Sequence, residues 1–160
     1  RLAGLLESDE ITNAGYPDID LERGVAVAGS RNADEASLAF AADLGRMCAR
    51  SGLAVVSGAA RGIDTTAMLT AAEAGGKATG VVAESLERAA RRQDLRSHLS
   101  EGELVLITPQ HPAAGFTVGG AMGRNRLIYC LAEAAVVGLG LAVSLEIAPA
   151  LVGALGDRGN

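Results

Sequence analysis

A chain of 160 residues is long enough to fold as one domain around its own core, and a charged fraction of 21% with a mean hydropathy of +0.25 excludes a disordered polymer. Its net charge of −5 excludes the globally basic surface of many nucleic-acid binders, so any anion site must be a local cluster of arginines. With two Tyr, two Phe and no Trp, the core must be aliphatic, and the stacking platforms on which many single-strand binders depend are scarce.

Residues 1–23 read as a polar, irregular N-terminal segment, with Gly15-Tyr16-Pro17 as a turn, and 24–160 as the domain proper. Val25 to Ala28 is a short apolar run ending at Gly29, as a buried strand would. Asn32 followed by Glu35 has the spacing of a variant capping box. A helix to about Arg50 follows, because Phe40, Leu44, Met47 and Cys48 share one face, and Gly52 stops it. The cycle then repeats. Leu53 to Val56 reads as a second strand, Ser57 to Gly62 as a glycine-bounded loop, and Ile63 to Ala74 as a helix closed by Gly75-Gly76. Ala78 to Val82 is a third strand, and the charged stretch Glu84 to Glu101 is helical with a break. Leu104 to Ile107 is a fourth strand, Thr108 to Gly120 an irregular loop, Met122 to Glu133 a helix, and Ala134 to Val137 a fifth strand. Uninterrupted apolar strands alternating with helices predict an α/β fold: a Rossmann-like, doubly wound, mainly parallel sheet with helices on both faces.

Ligands of such sheets bind beyond the carboxyl ends of the strands, near the point where strand order reverses. Three arginine-bearing segments are expected at that edge. Gly29-Ser30-Arg31 offers close backbone approach, a hydroxyl and a bidentate guanidinium fork. Ser57, Gly58, Arg61, Gly62 and Asp64 belong to a second loop, whose backbone N–H groups and helix start suit a phosphate. Asp64 has two readings there, a first-turn acid favoured by the helix dipole or a ligand contact to a sugar hydroxyl. Gly123-Arg124-Asn125-Arg126 is expected to open the helix after the fourth strand, adding two guanidinium groups and an amide. Together these segments describe an anion site suited to a phosphate, with no cofactor, metal or catalytic residue assigned.

Other chemistries lack their motifs. Neither the glycine-rich fingerprint of dinucleotide enzymes nor the phosphate-binding lysine loop of nucleoside triphosphatases is present. A Gly-x-Ser-x-Gly nucleophile elbow is absent as well. His98 and His111 stand apart from any cysteine pair and read as non-ligands. Arg88, Arg91, Arg92 and Arg96 form a basic run, but Glu84, Glu87, Asp94 and Glu101 interleave with it, so it reads as a solvated helix face. Cys48 and Cys130 read as small buried residues in a reducing compartment. There is no signal peptide and no bilayer-spanning run, so the expected location is the cytoplasm, away from membranes. Arg1 in place of an initiator methionine predicts a partial or processed chain.

Three stretches also carry a family resemblance: VAVAGSR at Val25 to Arg31, SGAARGID at Ser57 to Asp64, and GRNRLI at Gly123 to Ile128. In order and spacing they resemble the signature segments of the DNA-processing protein A (Smf) family, over about Val25 to Val137. The HPAAGF and AMGRN segments are closer to a subgroup of relatives than to the transformation proteins themselves. The resemblance implies a Rossmann-like domain that binds single-stranded DNA in a positive pocket, dimerises, and helps load a RecA-type recombinase in natural transformation. It places Arg31, Arg61, Asn125 and Arg126 around that pocket, to which Arg124 is added, and it implies no catalysis. The chain departs from the family after Val137, where Gly138-Leu139-Gly140 has no neighbouring Ser or Thr and an apolar stretch runs to Leu155, interrupted by Pro149. Neither the family's accessory helical domain nor its winged helix is expected here. Two further readings stay open: a nucleotide- or NAD-derivative-binding sensor, and a structural or dimerisation domain with a degenerate pocket. A nucleotide N-glycosidic hydrolase is disfavoured, since its PGG-x-GT-x-x-E motif is missing.

Overall fold

The computed structural model describes residues 12–15 and 23–138. A short edge strand, β1 (Thr12–Gly15), precedes β2 (Gly24–Gly29), helix α1 (Glu35–Arg50), β3 (Ala54–Ser57) and α2 (Ile63–Glu73). Then come β4 (Ala78–Val81), α3 (Leu86–Ala90), α4 (Gln93–Ser100), β5 (Leu104–Thr108), α5 (Val118–Cys130) and β6 (Ala134–Gly138). The six strands form one sheet in the order β1-β5-β4-β3-β2-β6. All neighbours are parallel except β1, which runs antiparallel to β5 with Asn13 opposite Ile107. This is the doubly wound, Rossmann-like arrangement expected from the sequence, with strand order reversing beside β2.

The inner strands β2 to β5 are buried on both faces because their successive side chains serve two different cores, whereas the edge strand β6 leaves Ala135 and Val137 exposed. Val25, Val27 and Val55 face a cluster with Leu44 of α1, Met68 of α2, Leu86 of α3 and Leu95 of α4. Ala26, Val56, Val81 and Ile107 face the opposite cluster, closed by Ile128 and Leu131 at α5. Helices α1 to α4 therefore cover one face and α5 the other. Leu44 and Met68 are fully buried, each contributing about 1.5–3 kcal/mol by leaving water. Ala41, Ala67 and Ala71 let α1 and α2 approach closely, which explains a core without large aromatics.

The structure corrects four readings of the sequence. The stretch taken as irregular contains β1, whose TNAG sequence has no apolar alternation and is held through its backbone ladder to β5. Helix α1 is capped by Asp34, not Asn32: Asp34 Oδ1 accepts from Ser37 N–H at 2.8 Å. Asx residues compete for this place, and the amide of Asn32 is taken by Arg61. Helix α5 starts at Val118, four residues earlier than expected, because Thr117 Oγ1 accepts from Gly120 N–H at 3.0 Å and starts it despite three glycines. Gly123 to Arg126 thus lie in the second turn or beyond and do not open the helix. Finally, Cys130 is exposed, whereas Cys48 is buried and its thiol is pushed up to about 12 by desolvation.

The broken helical reading of 84–101 matches α3 and α4, which are separated at Arg91-Arg92. Among the described residues, no helix is long and apolar enough to cross a membrane. The tail helix considered for Leu141 to Leu155, and the Tyr16-Pro17 part of the early turn, lie outside the described residues.

Candidate anion-binding cleft

A cleft of about 750 Å³ opens beyond the carboxyl ends of β2, β3 and β4. Arg31 enters it from the loop after β2, Gly58 to Arg61 from the loop after β3, and Val82 to Glu84 from the end of β4. Arg92 and Asp94 come from the α3–α4 junction, and Phe116 and Arg124 from the approach to α5 and from α5 itself. Four guanidinium groups thus face two carboxylates, in a chain whose net charge is −5.

One carboxylate ties the first two loops together. Asp64 is buried in the first turn of α2, where its Oδ1 accepts from Gly29 N–H at 3.0 Å and its Oδ2 from Gly58 N–H at 3.2 Å. Burial pushes its carboxyl above the ordinary value, against the opposing pull of those two donors and of Arg124. The side chain of Ser57 is committed in the same layer, donating to the Val27 carbonyl at 2.6 Å. A second tie is backbone: Ile63 N–H donates to the Ser30 carbonyl at 3.3 Å, next to Gly62 at φ 93°. On the surface, Arg61 Nη2 donates to Asn32 Oδ1 at 2.8 Å. The loop after β3 also holds Ala59 at φ 53°, a left-handed conformation that costs a non-glycine residue about 1–2 kcal/mol. Arg92 Nη1 fixes that strained residue by donating to its carbonyl at 2.7 Å.

Arg124 forms the floor. It is 7% exposed, its Nη1 reaches the Val81 carbonyl at 3.4 Å, and its Nε has no partner among the described residues. Burial draws its guanidinium below the usual value; Asp64 opposes this and Arg31 adds to it. A buried cation with spare donors at the base of a cleft is a ready donor site for an anionic oxygen.

The expected site residues separate into three groups. Arg31, Gly58, Arg61 and Arg124 line the cleft. Gly29, Ser57, Gly62 and Asp64 build the loops behind it, and Ser30 accepts from Asn32 N–H at 3.1 Å in the first loop. Asn125 and Arg126 are exposed and do not line the cleft, because one and two positions along a helix carry them round from Arg124. The lining residues that the sequence reading missed include Arg92, Asp94, Glu84 and Phe116. Arg92 was read as part of a solvated face, yet its Nε and Nη2 bind Asp94 at 3.2 and 2.7 Å while Nη1 turns inward. Its place between two helices was the available signal. Glu84 and Phe116 had none beyond their nearness to a strand end and a helix start. No group of three or more His, Cys, Asp or Glu able to hold a metal occurs among the described residues.

Residues 11–139 match the family model described as DNA recombination-mediator protein A. No curated protein is similar enough in sequence to count as a match. Among solved structures, DNA processing protein A from Streptococcus pneumoniae superposes with a TM-score of 0.69 at 22% identity, over 92% of this chain and 51% of that one. The Helicobacter pylori protein, described for its single-stranded DNA binding mode, gives 0.68 at 20% identity, over 92% of this chain and 68% of that one. A molybdenum cofactor binding protein from Rippkaea orientalis gives 0.52 at 17% identity, over 84% of this chain and 70% of that one. These likenesses establish the fold, and the chain spans about half the length of the S. pneumoniae protein.

Proposed function

The chain belongs to the DNA recombination-mediator protein A family, and on that premise we propose that its cleft binds single-stranded DNA through the phosphodiester backbone. The observation that carries this reading is the convergence of Arg31, Arg61 and Arg124 on one cleft of an otherwise acidic chain. Arg92 is largely committed to Asp94 and Ala59, so it shapes the cleft more than it neutralises phosphate. The H. pylori relative, named for its single-stranded DNA binding, supports the choice of ligand. The reading is one of binding, not of catalysis, in the cytoplasm. Delivery of the bound strand to a RecA-type recombinase, by a homodimer, is proposed on family grounds alone.

Binding of a short oligothymidylate, followed by fluorescence anisotropy across a salt series, tests the proposal. Three phosphate contacts at roughly −0.7 each give a slope of log K against log salt of about −2. Arg31→Ala and Arg61→Ala should each weaken binding by about 1.5–3 kcal/mol and make that slope shallower. Saturation by ATP or NAD at one ligand per chain, with no oligonucleotide binding, would replace this reading with the nucleotide one.

A further inference from the structure

Glu84 stands three residues beyond β4, exposed, in the same cleft as Arg31, Arg61 and Arg124. Asp94, the other acid there, is closed on Arg92 by two hydrogen bonds. Glu84 makes no ion pair among the described residues. Its charge repels phosphate in a place where guanidinium groups attract it, so a bound strand gains from Glu84 only by offering it a donor. A carboxylate only accepts hydrogen bonds. Along a DNA strand the phosphates have no donor and an internal deoxyribose has no hydroxyl. The N–H groups are all on the bases.

The four bases differ in what they present to two carboxylate oxygens. Guanine places N1–H and N2–H side by side, matching both. Adenine and cytosine place one amino group next to an acceptor nitrogen, and thymine flanks its single N–H with two carbonyl oxygens. Phe116 supplies a face for such a base: it is 54% exposed, lines the cleft, and has the Arg31 guanidinium 5.8 Å from its ring centroid. Aromatic rings and guanidinium planes are the surfaces on which splayed bases stack.

We propose that Glu84 reads one nucleobase of the bound strand and gives the cleft a preference for guanine. The inference rests on the single-strand reading above and goes beyond it by assigning a base-specific contact. The test compares three short oligothymidylates: one with a central deoxyguanosine, one with a central deoxyadenosine, and one unsubstituted. The native chain should bind the guanine-bearing strand about ten-fold more tightly than the unsubstituted one. Glu84→Gln replaces one acceptor with a donor, the pattern that pairs with adenine, so the preference should move from guanine to adenine. A structural role for Glu84 would not produce that exchange. Equal binding of all three strands by the native chain, or a guanine preference that survives Glu84→Gln, overturns the inference and leaves strand binding intact. If none of the three binds, the single-strand reading fails and the inference falls with it.

Discussion

Gly58→Ala tests the structure of the cleft with a single methyl group. A Cβ at Gly58 would fall on Nη1 of Arg124, 2.6 Å from its Cζ and 2.7 Å from Oδ2 of Asp64. Non-bonded contacts settle near 3.5–4.0 Å, so the Nη1 end of the guanidinium has to retreat by about 2 Å. Moving it takes Arg124 off the Val81 carbonyl and away from Asp64, whose carboxylate stays buried with its Gly58 hydrogen bond strained. Weakening an interaction with a buried charge costs about 1.5–3 kcal/mol, and we expect about 2.5 kcal/mol here. In a domain of this size that lowers Tm by roughly 5–10 °C. Urea unfolding of the native chain, Gly58→Ala, Arg124→Ala and the double variant closes a cycle. With Arg124 already shortened, the methyl group occupies the vacated space, so Gly58→Ala should cost within about 1 kcal/mol and the coupling should be about 1.5 kcal/mol. A coupling below about 0.5 kcal/mol, with m unchanged across the four proteins, would show that Arg124 does not lie under the Gly58 loop.

Two further predictions concern the ties between the loops. At Gly62 a Cβ would press on the Ser30 carbonyl and lie 3.0 Å from Arg31 Cα, and φ is 93°; because the obstacle is backbone, Gly62→Ala should cost about 3 kcal/mol or more by urea unfolding and weaken oligonucleotide binding with both arginines intact. Native stability and affinity in that variant would refute the loop contact. Asp64 titrates above its ordinary value, so its contribution to stability is fully present below the unfolded value and is lost as pH rises through the folded one. Asp94, lowered chiefly by its hydrogen bond from Arg92, contributes above the unfolded value and loses that contribution as pH falls through the folded one. Urea unfolding between about pH 3 and pH 7 should therefore show the native-minus-variant stability falling with pH for Asp64→Asn and rising for Asp94→Asn; the same sign for both would refute the assignment.

The inner parallel strands were legible because burial on both faces writes each as an apolar run, which places Val25, Val55 and Leu106 without reference to tertiary contacts. Strand β1 was not, because TNAG is held by its backbone ladder to β5, which no side-chain pattern records. The cleft was legible as loops and in Arg31, Arg61 and Arg124, but not in all of its side chains. GRNRLI lies within α5, where an earlier helix start and the 100° step per residue decide which arginine turns inward. Arg124 does so, while Asn125 and Arg126 are exposed. Arg92 was hidden by composition: alternating charges describe a solvated face equally well until the helix break at the α3–α4 junction directs one guanidinium to Ala59.

The position of Asp64 has a consequence for how the molecule can change. Its two oxygens hold the amides that shape the cleft and also join two strand ends of the central sheet, so mechanical stiffness of the mouth and resistance to unfolding share one joint. Substitutions around that joint cannot tune the two properties separately. Across a variant series, melting temperature and strand affinity should rise and fall together near Asp64, whereas changes at exposed positions such as Glu84 or Phe116 should alter binding without altering how firmly the domain is folded.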